Sequence, residues 1–247
     1  MADLDLFYED AVSGEAILFL HSSFSRGVRA FAAQIPVFSP HYRCLLPDMR
    51  GHGETEAPGL EWTVPQLAGD MVAFLEALGV ERAHLIGYSL GADVALYCLI
   101  MRPEMFLSLT AIGTAGRVTE ETIRQADDYE PGSLERRGMR DFIEAMKEMH
   151  ATAHRGNWRR FVSVSVDNWR RYPDIPFARL ADLRQPCLLI AGEDDPFASG
   201  SQLEELRRAI PNAESLRIPG CGHRPHMAGF RPEMVNEAIQ AFLRKVR

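Results

Sequence analysis

The sequence has no apolar run approaching the roughly 20 residues that a membrane-spanning helix needs. It has no internal repeat, no low-complexity tract and no basic face. Met1 to Asp10 carry neither a basic head nor an apolar core, so no secretory leader is expected. Cysteine is sparse, with four residues and no CxxC spacing, which removes any basis for a zinc knot or a disulfide framework. Cys44, Cys98 and Cys187 fall inside apolar patterns and are expected to be reduced and buried. Cys221, in a glycine-rich turn, is the one to watch. The net charge of -7 is spread along the chain, which argues against a partner bound through phosphates and against an anionic membrane surface. A cytoplasmic globular protein is expected.

What is present is an alternation. Strand patterns run over Leu4–Glu9, Ala16–His21, Arg43–Asp48, Ala83–Gly87, Ser108–Gly113, Cys187–Gly192 and Ala213–Ile218, with helical patterns between most of them. Thr63 caps a helix that has Pro65 in its first turn and stops at Gly79; Pro211 closes a helix begun near Gly200, and Pro232 opens the last one. Such alternation predicts right-handed crossovers and a mostly parallel α/β sheet buried on both faces. It breaks between Ala115 and about Leu180, a stretch too long for a simple loop. The expected organisation is a core of residues 1–114 and 181–247 with a helical cap at 115–180.

The chemistry starts at Gly87-Tyr88-Ser89-Leu90-Gly91, where an apolar strand turns at once into a helix. A serine on that bend projects its hydroxyl at the sheet's end, beside the free N–H groups of the helix start. A serine hydroxyl needs a base to take its proton and an acid to orient the base. Later strand ends offer both: Glu193-Asp194-Asp195 follows the strand ending at Gly192, and His223 sits in the loop Pro219-Gly220-Cys221-Gly222.

In this order the motifs resemble the α/β-hydrolase superfamily. The resemblance covers the core, including His21-Ser22-Ser23, Asp48-Met49-Arg50-Gly51-His52-Gly53, the elbow, GEDDP and GCGH. It implies an α/β-hydrolase fold with Ser89 as nucleophile, His223 as base and Asp195 as acid, the acid falling three residues after the strand-ending glycine. It further implies an oxyanion hole of the Leu90 and Ser23 backbone N–H groups and no cofactor or metal. Relatives commonly have His-Gly where this chain has His21-Ser22, and some, including enol-lactone hydrolases, carry Asn-Ser. The expected function is cofactor-free cleavage of a small-molecule carboxylic ester or lactone through an acyl-enzyme. The alternatives are an enol-lactone or carbon–carbon bond hydrolase of aromatic catabolism, and a non-catalytic small-molecule receptor. The expected partner is a small molecule rather than a nucleic acid or a membrane, and a homodimer is compatible with the sequence.

Other residues receive plainer assignments. His226 competes for the base role but lies three residues past the family position. His52 is expected to serve its turn and His21 the oxyanion loop, while Asp48 and Arg50 read as a structural ion pair. His150 and His154, four apart, read as solvated residues on one helix face, lacking partners for a metal. Met139, Met146, Met149, Trp158, Phe161 and Trp169 recur at helical spacing, which predicts that they pack the cap and show a face to substrate. The arginines from Arg136 to Arg171 hint at an anionic substrate, with solvated surface as the plainer account.

Overall fold

The computed structural model describes residues 4–11 and 14–246. Seven strands form one sheet: β1 Tyr8–Ala11, β2 Ala16–Leu20, β3 Arg43–Pro47, β4 Ala83–Tyr88, β5 Phe106–Ile112, β6 Cys187–Gly192 and β7 Ala213–Ile218. Their spatial order is β1-β3-β2-β4-β5-β6-β7. β1 pairs antiparallel with β3, and every other pairing is parallel. The expected first strand, Leu4–Glu9, is displaced. Residues 4–7 are not strand, and the pairing begins at Tyr8. This is an exposed edge, so burial did not impress a pattern on its sequence.

The central strands are mostly apolar because both faces are covered, and of their polar residues His84 and Ser108 bond each other at 2.7 Å. In β2, Leu18 and Leu20 point into one core cluster while Ile17 and Phe19 point into the other, as the two-residue period of a strand requires. The helices are α1 Gly27–Ala30, α2 Ile35–Phe38, α3 Val64–Ala77, α4 Leu90–Met101, α5 Glu120–Asp128, α6 Pro131–Arg136, α7 Arg140–Met149, α8 Ala151–His154, α9 Trp158–Arg171, α10 Phe177–Leu180, α11 Gly200–Ala209 and α12 Pro232–Lys245. Thr63 caps α3 by accepting from the Gln66 N–H at 3.3 Å, and Pro232 is the first residue of α12. Helices α5 to α10 fill the stretch between β5 and β6. Asn168 of α9 joins them to the core, accepting from the Val64 N–H and donating to the Trp62 carbonyl.

Two expectations are corrected. Asp48 and Arg50 do not pair with each other. Arg50 makes a bidentate contact with Asp70, both bonds at 2.7 Å, while Asp48 meets Arg26 at 3.0 Å and accepts from the Gly27 and Glu54 N–H groups. Both carboxylates are buried, and each needs a full set of donors that a neighbour two residues away does not supply. His150 and His154 are not solvated and do not share a helix. Met149 ends α7, Ala151 starts α8, and both rings are buried. His150 Nδ1 accepts from the Gly53 N–H at 2.8 Å, and His154 Nδ1 accepts from the Gly156 N–H at 2.9 Å. All four cysteines are free and buried, Cys221 among them.

Candidate active site

The sharp bend after β4 is made possible by its glycines. A Cβ on Gly91 would lie 1.9 Å from the Leu20 carbonyl oxygen, and one on Gly87 would lie 2.3 Å from the Gly91 carbonyl oxygen. Helix α4 therefore packs directly on β2 and β4, closer than any side chain allows. Ser89 sits at the bend with φ 55° and ψ -120°, a conformation that costs on the order of 1–3 kcal/mol for a residue bearing a Cβ. It stands at the N-cap of α4, where a serine normally spends its hydroxyl on the helix. Here it makes no cap bond. Ser89 Oγ instead lies 2.9 Å from His223 Nε2.

The other side of the imidazole is held as well. His223 Nδ1 stands 3.0 Å from both Asp195 oxygens, and Asp195 is buried while Glu193 and Asp194 are exposed. The Phe197 N–H donates to Asp195 Oδ1 at 2.9 Å, fixing the carboxylate. The three residues named from the sequence are thus brought into one hydrogen-bonded chain. His226 is not: it is buried behind Tyr88, ring centroids 4.3 Å apart. The backbone of Leu90 opens α4, so its N–H has no carbonyl a turn earlier in the helix. Ser22 and Ser23 lie across the same cavity.

The loop carrying Ser22 and Ser23 is braced from below. His21 Nε2 accepts from the Met49 N–H, which leaves the proton on Nδ1, and Nδ1 donates to the Ser22 carbonyl at 2.9 Å. From above, Trp169 Nε1 of α9 donates to Ser23 Oγ at 2.9 Å.

Ser89 opens into a cavity of about 480 Å³, a size suited to a small molecule. Its far wall is aromatic and thioether: Phe24, Tyr129, Phe142, Met146, Met149 and Trp169. The periodic residues of this stretch therefore divide. Met146, Met149 and Trp169 reach the cavity, whereas Trp158 and Phe161 are buried in the packing and Met139 packs against the core. Of the arginines in the 136–171 stretch, Arg137, Arg155, Arg159, Arg160 and Arg170 pair with surface carboxylates. The arginines at the cavity are Arg29, Arg117 and Arg224, outside that stretch. Asp93 and Thr114, also at the cavity, were not singled out from the sequence. Asp93 reads there as an ordinary first-turn acid. Among the described residues, no three His, Cys, Asp or Glu side chains form a metal-holding group.

Below the site three histidines touch. The His52 ring centroid is 5.1 Å from that of His21 and 5.7 Å from that of His150. Burial drives them toward the neutral form, to about 4 for His21 and about 3 for His52, and well below the usual value for His150. His226 is likewise held at about 3 by burial, with His223 adding to the effect. Unfolded, each would titrate near 6.5. Between those values the unfolded chain binds more protons than the folded one, so stability falls as pH drops through the window. The melting temperature is expected to decline between about pH 6.5 and about pH 4.5, and His52→Gln to flatten that decline. A melting temperature constant across this range would contradict the assignment.

A mostly parallel sheet with a strained serine after its fourth strand, and a histidine and an aspartate on loops after the last two, defines an α/β hydrolase. Residues 17–238 match the model of the alpha/beta hydrolase family, and the chain belongs to that family. It is 29% identical over 252 residues to the 2-hydroxy-6-oxononadienedioate/2-hydroxy-6-oxononatrienedioate hydrolase of Paraburkholderia phymatum, covering 90% of this chain and 85% of that protein. Among solved structures it is similar to a thermophilic esterase from Thermogutta terrifontis, with a TM-score of 0.80 at 24% identity over 98% of this chain and 94% of that one. It is also similar to the enol-lactonase of Burkholderia xenovorans LB400, with a TM-score of 0.78 at 20% identity over 97% and 96% of the two chains.

Proposed function

We propose that this chain is a serine hydrolase of small-molecule carboxylic esters or lactones, acting through an acyl-enzyme. The observation carrying this reading is the unbroken hydrogen-bonded chain from Ser89 through His223 to Asp195, with Ser89 facing the cavity. Ser89 Oγ attacks the carbonyl carbon as its proton passes to His223 Nε2. Asp195 holds the Nδ1–H and stabilises the imidazolium. The Leu90 and Ser23 N–H groups receive the developing oxyanion, each donor of this kind being worth about 10²–10³ in turnover. Collapse breaks the bond to the leaving alcohol, which takes the proton from His223. Water, activated by the same histidine, then releases the acid and restores Ser89. No step calls for a metal or a cofactor.

Residues 115–180 serve in this reading as a cap that shapes the apolar wall, and the partner is the small-molecule substrate. A second reading, carbon–carbon or enol-lactone hydrolysis by the same three residues, is supported by the similarity to the 2-hydroxy-6-oxononadienedioate hydrolase of Paraburkholderia and to the Burkholderia enol-lactonase.

Short-chain p-nitrophenyl esters are expected to release a burst of nitrophenol stoichiometric with enzyme. A fluorophosphonate is expected to label Ser89 alone, and a chelator to leave turnover unchanged. Labelling at Ser89 with turnover only on an enol lactone or a vinylogous diketone would favour the second reading. No burst and no labelling would leave a ligand-binding protein on this fold.

A further inference from the structure

Asp93 lies on α4, four residues past Ser89, and lines the same cavity. Among the described residues three aspartates are buried, and each meets a positively charged or protonatable side chain: Asp48 meets Arg26, Asp70 meets Arg50 and Asp195 meets His223, while Asp93 is half-buried at the cavity wall. Asp93 makes no ion pair among the described residues. Its protein partner is Thr114, whose Oγ1 lies 2.6 Å from Asp93 Oδ1. Thr114 Oγ1 donates to the ionised Asp93 carboxylate while accepting from the Gly116 N–H at 2.9 Å. Oδ2 is left to whatever fills the cavity.

The surrounding charges do not satisfy it. Arg117 shares the cavity wall, but it pairs with Glu205 at 2.6 Å and its guanidinium lies over the Phe177 ring. Arg29 and Arg224 line the cavity from solvent-exposed positions. His223 is engaged by Ser89 and Asp195, and burial raises the Tyr97 phenol, which stays neutral. Burial pushes the Asp93 carboxyl up to about 7, with the Thr114 hydrogen bond acting the other way. The group thus stands near balance between its neutral and charged forms, and an arriving cation completes the charged one. A neutral hydroxyl or amide would satisfy Oδ2 but leave the charge uncompensated in a partly desolvated site.

We propose that Asp93 is a specificity-determining residue that binds a primary ammonium group on the substrate, selecting amine-bearing esters over neutral ones of the same shape. This rests on the hydrolase reading above and names its substrate class. The test compares the p-nitrophenyl ester of an ω-amino acid with that of the isosteric fatty acid. In the wild-type protein, kcat/KM is expected to favour the amino ester by about ten- to a hundredfold, the range of a charge-assisted hydrogen bond. The ratio is expected to fall to near unity in Asp93→Asn and to drop in Thr114→Val, each checked for folding by circular dichroism. If Asp93→Asn does not fold, Thr114→Val carries the comparison. A wild-type ratio at or below unity, or a ratio that survives these substitutions, overturns the proposal while leaving the hydrolase reading intact. A parallel measurement needs no turnover: butylamine, and not butanol, is expected to raise the melting temperature of the wild type and to do so less in the variants. Equal effects of the two compounds would overturn the role of Asp93 even if neither ester were hydrolysed, an outcome that would separately sink the hydrolase reading for esters.

Discussion

Ser89→Ala is expected to lower kcat/KM on an activated ester by about 10⁴-fold or more, the scale seen when a serine nucleophile is removed from an intact oxyanion hole. Among the described residues the only hydrogen bond of the side chain is with His223, and the hydroxyl caps no helix, so stability should change by no more than about 1 kcal/mol. Alanine keeps the Cβ and therefore the strained backbone at φ 55°. Relief of that strain would require glycine. Thermal melting and ester turnover on the same preparation check both halves. A folded Ser89→Ala protein with near wild-type turnover would end the acyl-enzyme proposal.

The second large effect concerns the acid. Asp195→Asn is expected to cost about 10²–10⁴ in turnover, because an amide cannot hold the imidazole Nδ1–H on both oxygens and admits the wrong tautomer. Asp194→Asn should change turnover by no more than about twofold, as a surface substitution does. The two residues are neighbours in sequence and opposite in surroundings. Asp195 is buried against His223 and accepts from the Phe197 N–H, whereas the Asp194 side chain is exposed and its backbone N–H donates to the Cys221 carbonyl. That backbone bond ties the loop of Asp195 to the loop of His223. Gly192 tightens the tie, since a Cβ there would lie 2.1 Å from the Gly222 carbonyl oxygen. Turnover of both variants on one ester decides the matter, and a crippled Asp194→Asn beside a healthy Asp195→Asn would reverse the assignment.

The two loops also explain why so much of this site was legible in the chain. Ser89, Asp195 and His223 each follow a strand whose apolar run is easy to see, and each is bracketed by glycines or proline that mark a forced backbone. The central strands are legible for a related reason: burial on both faces leaves few polar residues, such as His84, Ser108 and Thr110, to confuse the pattern. Legibility ended where partners are distant in sequence and chemistry gives no hint of the pairing. Arg50 stands two residues from Asp48 yet binds Asp70. His150 resembles a solvated helix residue until the fold brings the Gly53 N–H, 97 positions away, to its ring. Asp93 was overlooked because an acid in the first turn of a helix suits the helix dipole, and nothing in its neighbours reveals that the dipole points into a cavity. The edge strand at Tyr8–Ala11 was misplaced because exposed residues carry little imprint of their pairing.

The contact between Trp169 and Ser23 makes the protein its own optical reporter. The chain has three tryptophans, and they occupy distinct surroundings. Trp62 is buried against His52 and Phe161, and Trp158 lies under the cationic groups of Lys147 and Arg159. Trp169 alone lines the cavity, its indole N–H bonded across to Ser23 in the loop that faces Ser89. Replacing Trp62 and Trp158 by phenylalanine would leave a single fluorophore whose emission follows ligand entry and any parting of α9 from that loop. The time course of substrate arrival could then be separated from that of bond cleavage by stopped-flow mixing, without a dye attached to the protein.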